Sequence, residues 1–103
     1  MKVALTRGAL QDLIDIGRFV ASDDPAAARR LTARLKTRAN RAARFPYAGR
    51  IVPEFEREDI REFVEGNYRI VYRVLRRHIH VLTVFEGLRR LLTDSRDDFA
   101  EPG

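Results

Sequence analysis

The sequence has no cysteine, one methionine and only two histidines. Without cysteine there is no disulfide framework, no thiolate zinc site and no cysteine nucleophile, and the composition suits a reducing compartment, so the expected location is the cytoplasm. Long apolar runs are missing as well. No stretch approaches the roughly 18 to 20 residues that cross a bilayer, which sets aside a membrane partner. The opening MKVALTRGAL is interrupted by Arg7, with Asp12 close behind, and lacks a small-residue cleavage site. It is not read as a signal peptide.

What remains is 103 residues, enough for one small domain with a modest core, at 45% hydrophobic residues and a formal net charge of +5. The charge is unevenly placed. Residues 25–53 hold eight basic and no acidic side chains, namely Arg29, Arg30, Arg34, Lys36, Arg38, Arg41, Arg44 and Arg50. Such a block attracts an anionic partner, either nucleic acid or an acidic protein segment. A solvated helix face that keeps a small protein soluble would look the same.

Along the chain, residues 2–6 (KVALT) alternate as a short strand. From Ala9 to about Ala21, Leu10, Leu13, Ile14, Ile16, Phe19 and Val20 recur at three- and four-residue spacing, an amphipathic helix. Ser22-Asp23-Asp24-Pro25 ends it and starts a second, with Asp24 suited to capping and Pro25 to the first helical position. The second helix is expected to run to about Arg44 with Ala28, Leu31, Leu35, Ala39 and Ala42 inward, making an antiparallel helical hairpin. Pro46 and Gly49 mark the change to sheet. Three alternating runs follow, Ile60–Val64, Tyr68–Leu75 and Ile79–Phe85, joined by loops short enough for an antiparallel meander. The fold class is therefore α+β, in the order β-α-α-β-β-β, with the apolar sheet face against the helices. Residues 1–92 are expected to form the single domain. Residues 93–103, acidic and without periodicity, read as a disordered tail.

Candidate site residues can be named, each with a plainer alternative. Tyr68 and Tyr72 alternate with Ile70 and Val74, so they read as core aromatics with rim hydroxyls rather than catalytic groups. His78 and His80 share a strand face, but without a third ligand of the same kind no metal site and no cofactor is expected. Arg61, Arg69 and Arg73 could line one concave groove for phosphate or carboxylate. Cross-strand pairing with Glu62 and Glu65 would account for some of them equally well.

The phrases ALQDLIDIGRFVASDDPAAA, RFPYAGRIVPEF, IREFVEGNYRIVYRV and IHVLTVFEGLRRLL, in this order and spacing, resemble the ParE and RelE superfamily of bacterial type II toxins. The resemblance covers about residues 3–92. It implies a helical hairpin on a small curved antiparallel sheet, and a growth-arresting toxin, often linked to plasmid stabilisation, bound in a hetero-oligomer by a cognate antitoxin. It also implies one of two targets: DNA gyrase in the ParE branch, or mRNA on the ribosome in the RelE branch. RNA cleavage requires a base, an acid and cations about the phosphate. Phe85-Glu86-Gly87-Leu88-Arg89-Arg90 offers neither His nor Tyr where the nuclease pattern places one. The gyrase branch is thus expected, with no catalytic residue assigned, and the nuclease is the alternative. Arg61, Arg69, Arg73, Arg89 and Arg90 are the candidates for target contact. Leu31, Arg34, Arg38 and Arg41 are those for a ParD-like antitoxin.

Overall fold

Thr6 ends the first strand and begins the first helix. Its hydroxyl donates to the Val81 carbonyl at 2.8 Å and accepts from the Ala9 amide at 3.2 Å, which is an N-cap. This is why, in the computed structural model, which describes residues 1–87, helix α1 (Arg7–Ala21) starts two residues before the apolar periodicity does. Strand β1 precedes it (Lys2–Leu5). Asp24 caps helix α2 (Pro25–Asn40) by accepting from the Ala27 amide at 3.1 Å, and Pro25 takes the first turn. The helix stops short of the expected Arg44, its last turn tightening into a 3-10 turn over Arg41–Ala43.

The remaining strands are β2 (Arg50–Ile51), β3 (Ile60–Glu65), β4 (Tyr68–Val74) and β5 (His78–Glu86). They form one five-stranded sheet in the order β1-β5-β4-β3-β2. The α+β class and the hairpin-on-sheet layout are as the sequence indicates. Two features differ. The short edge strand β2 was not expected, and β1 joins β5 in parallel, so the sheet is mixed rather than purely antiparallel. A parallel pair needs a crossover, and the helical hairpin supplies it. The expected tail, residues 93–103, lies outside the described residues.

The main core lies between the hairpin and the sheet, with Leu13, Leu31, Leu35, Phe63, Ile70, Tyr72, Val81 and Val84 all buried. Ile16, expected in this core, is partly buried against it. A second, smaller cluster sits on the other sheet face, where Val52, Ile60, Val71, Leu82 and Phe85 pack beneath Phe55. The chain from Val52 to Asp59 folds back there, so both sheet faces are covered near β3. A register shift divides β5 between the two clusters. Val71 pairs with Thr83 but Tyr72 pairs with Val81, leaving Leu82 as the extra residue of a bulge. Val81 and Val84, three apart, therefore reach the same core.

Candidate functional site

Helix α2 displays Arg30, Arg34 and Arg38 along one stripe that its C-cap, Arg41, continues, because positions three and four apart stack on a helix face. Its opposite face anchors it through Ala28, Leu31, Leu35 and Ala39. Two open cavities flank this stripe. One, of about 390 Å³, lies between the helices and the β3–β4 turn, with Val20, Ala27, Leu31 and Tyr68 as its apolar part. The other, of about 550 Å³, runs along the outside of α2 past Arg34, Thr37, Arg38 and Arg41. Glu65, the last residue of β3, lines both. Its carboxylate stands 3.7 Å from Arg34 Nε and 4.0 Å from Arg38 Nε. The Arg38 guanidinium lies 4.8 Å from the centre of the Phe63 ring, and its Nε is buried without a hydrogen-bond partner. Of the expected antitoxin residues, the three arginines thus share one face, while Leu31 belongs mainly to the core and offers only an edge to the cavity.

The expected grouping of Arg61, Arg69 and Arg73 does not form. Residues one apart in a strand point to opposite faces, and the pairing places Arg61 with Tyr72 on the helix side, Arg69 and Arg73 on the other. Arg69 is 7% exposed, and its guanidinium is engaged by two carboxylates, Glu62 at 2.5 Å and Glu54 at 2.8 Å. These hydrogen bonds to Glu54 and Glu62 outweigh desolvation and hold its pKa above the ordinary arginine value. Glu62 is itself buried and also accepts from Arg50 Nε at 2.5 Å. Arg73 donates to Asp59 at 3.1 Å. Burial tends to raise the Asp59 carboxyl, but Arg57 and then Arg73 overcome this and keep it below the usual value. Arg69 and Arg73 are therefore members of an internal ion-pair network. Cross-strand pairing, the plainer alternative, describes Arg69 with Glu62.

Arg61 belongs to a third feature. Its Nε donates to the Glu58 carbonyl at 2.8 Å and its Nη1 to the Gly49 carbonyl at 3.2 Å, while the guanidinium lies 5.1 Å from the Tyr47 ring centre. The loop it supports is pinned by Tyr72, whose buried hydroxyl donates to the Pro46 carbonyl at 2.8 Å and accepts from the Gly49 amide at 3.0 Å. Burial pushes the Tyr72 phenol up. Gly49 permits this closeness, since a Cβ there would stand 2.5 Å from the Tyr72 hydroxyl and 2.7 Å from the Glu62 carbonyl. The pinned loop presents Phe45 and Tyr47 to solvent, at 51% and 60% exposure. Sequence reading missed both, although two aromatics beside Pro46 and Gly49, outside any alternating run, were the available signal. Tyr72 is thereby a structural anchor.

His78 and His80 stand side by side on β5 with ring centres 6.3 Å apart. Among the described residues no group of three or more His, Cys, Asp or Glu side chains is placed to hold a metal ion. Nor is any helix there long and apolar enough to cross a membrane. Arg89 and Arg90 fall outside the described residues.

A search of solved structures returns a chain from the "Chromosomal ParDE TA system from P. aeruginosa", with a TM-score of 0.71 over 84% of this chain and 96% of that one. At 20% identity this is a likeness of fold. Among curated sequences, "Putative toxin Y4kP" of Sinorhizobium fredii (strain NBRC 101917 / NGR234) is 35% identical over 88 residues, covering 84% of this chain and 88% of the relative. The family described as the ParE toxin of the type II toxin-antitoxin system, parDE, matches residues 3–91. A match across nearly the whole described domain, on the fold that the solved relative shares, means that this chain belongs to the ParE toxin family of type II toxin–antitoxin systems.

Proposed function

We propose that this chain inhibits DNA gyrase without being an enzyme itself, acts in the cytoplasm, and is neutralised by a cognate ParD-like antitoxin in a hetero-oligomer. The observation that carries the reading is the ParE family match over residues 3–91. The geometry supports it from another side. An RNA-cleaving site needs cations available to a phosphate, together with an acid and a base. Arg69 and Arg73, two of the three sheet arginines that could have supplied them, are instead engaged by Glu54, Glu62 and Asp59. The antitoxin seat is the arginine stripe of α2, with Arg34, Arg38 and Arg41 supplying charge and Leu31 an apolar edge. Arg61, Arg89 and Arg90 are the proposed target contacts.

The test is expression without antitoxin. Growth arrest is expected with filamentation and a DNA-damage response, because trapped gyrase leaves broken chromosomes. Mapping mRNA ends in the same cells provides the contrary outcome: rapid ribosome-dependent cleavage without DNA damage would replace gyrase inhibition with the nuclease reading.

A further inference from the structure

We propose that Glu65 is a built-in placeholder: it occupies, loosely, the point between Arg34 and Arg38 where a carboxylate of the antitoxin binds. The proposal rests on the reading of α2 as the antitoxin seat and names the chemistry of that contact.

Three observations lead to it. The first is distance. A charge-assisted hydrogen bond closes to about 2.7–2.9 Å, and elsewhere in this molecule Glu62 holds both Arg69 and Arg50 at 2.5 Å. Glu65 instead stands 3.7 and 4.0 Å from its two arginines. It neutralises them without satisfying them. The second is the Arg38 Nε, a buried donor with no acceptor. An unmet buried donor costs about 1–3 kcal/mol, and a carboxylate entering from outside would meet it. The third is position. Glu65 lines both cavities, so a segment laid along α2 must pass it.

The occupant follows from the lining. Residues 25–53 carry eight cations and no anion, which calls for an acidic partner. Beside Glu65 the first cavity has an apolar part of Val20, Ala27, Leu31 and Tyr68. This apolar part, next to Arg30 and Arg34, fits an aliphatic or aromatic side chain beside a carboxylate better than a phosphodiester backbone, which is charged along its whole length. The matching ligand is a polypeptide segment with a carboxylate next to an apolar side chain. When it docks, its carboxylate takes Arg34 and Arg38, and Glu65 swings out to solvent.

A placeholder makes an unusual prediction: removing it tightens the complex. The affinity of the full-length toxin for the antitoxin encoded with it is measured by calorimetry. Glu65→Gln and Glu65→Ala are each expected to bind about fivefold tighter, the scale of one exposed ion pair. Glu58→Gln, an equal charge change on the exposed chain before β3, is expected to stay within about twofold, which separates the local contact from long-range charge. Arg34→Gln weakens binding, and in its presence Glu65→Gln tightens it less, because only Arg38 remains for Glu65 to occupy. If wild type binds and the Arg34 and Arg38 substitutions weaken binding, yet loss of Glu65 leaves affinity unchanged or lower, the placeholder is overturned and the seat stands. If neither arginine matters, seat and placeholder fall together. If Glu65→Gln strengthens binding to a single-stranded oligonucleotide but not to the antitoxin, the occupant has been assigned wrongly.

Discussion

Arg69 shows how an alternating strand can mislead a reader of side chains. In the run Tyr68 to Leu75 it stands where a surface arginine would, yet it is as buried as Val74. The reason is distant in sequence: Glu54 and Glu62 approach it from the returning loop and the neighbouring strand, and Phe85 lies beside the guanidinium at 5.1 Å. Local pattern carries no information about either partner. Replacing Arg69 with Ala would leave the fully buried Glu62 and the mostly buried Glu54 short of a countercharge. Breaking a buried pair from one side costs about 3–5 kcal/mol, out of a total stability of about 5–15 kcal/mol for a domain. Arg61→Ala loses exposed contacts to carbonyls and the Tyr47 face and is expected to cost about 1 kcal/mol. Urea unfolding of the two variants distinguishes them, and equal midpoints would mean that the network is not what holds β3 to β4. A non-toxic Arg69→Ala would accordingly report misfolding rather than a lost target contact.

The elements themselves were far more legible than the site. Both helices carry their signals within a few residues: Asp24 and Pro25 at the start of α2, and the Leu31, Leu35, Ala39 stripe along it. The alternation of β4 likewise sorts Ile70, Tyr72 and Val74 correctly onto the helix side. What escaped depends on partners rather than on pattern. Strand β2 is two residues long and exists because Arg50 and Ile51 pair with Glu62 and Arg61. The parallel edge depends on where β5 ends relative to β1, and the bulge at Leu82 shifts the inward set by one residue. The register of α2 can be checked directly. Leu35 is 1% exposed at the centre of the hairpin–sheet core, so Leu35→Ala is expected to cost about 2–5 kcal/mol through lost transfer energy and the cavity left behind. Its exposed neighbour in sequence is the control, and Lys36→Ala should be near neutral. Thermal unfolding of both tests this, and a wild-type melting curve for Leu35→Ala would place the inward face elsewhere.

At the scale of the whole molecule, cations are divided by use. Those on the far sheet face are consumed internally: Arg69 by Glu54 and Glu62, and Arg73 by Asp59. On α2, Arg34 and Arg38 share one loosely held carboxylate, Glu65, beside two cavities. Arg30, Arg34, Arg38 and Arg41 thus gather on one side of the protein, a patch that would steer the proposed acidic partner and raise its association rate. Reversing Arg34 and Arg38 to Glu would turn that attraction into repulsion next to Glu65 while leaving Leu31, Leu35 and Ala39 untouched. The fold should persist, since Arg34 is largely exposed and Arg38 about one-third exposed, with side-chain values of 60% and 32%. Antitoxin affinity is expected to fall by two orders of magnitude or more, because buried like charges in an interface cost several kcal/mol. Growth arrest by the variant should then continue when the antitoxin is co-expressed, whereas the wild type is silenced. Circular dichroism confirms folding, and growth with and without antitoxin reads the outcome. Two results would contradict this division of labour. Full neutralisation of a folded charge-reversed toxin would remove α2 from the antitoxin seat. Loss of toxicity in the absence of antitoxin would mean that the same arginines also face the target.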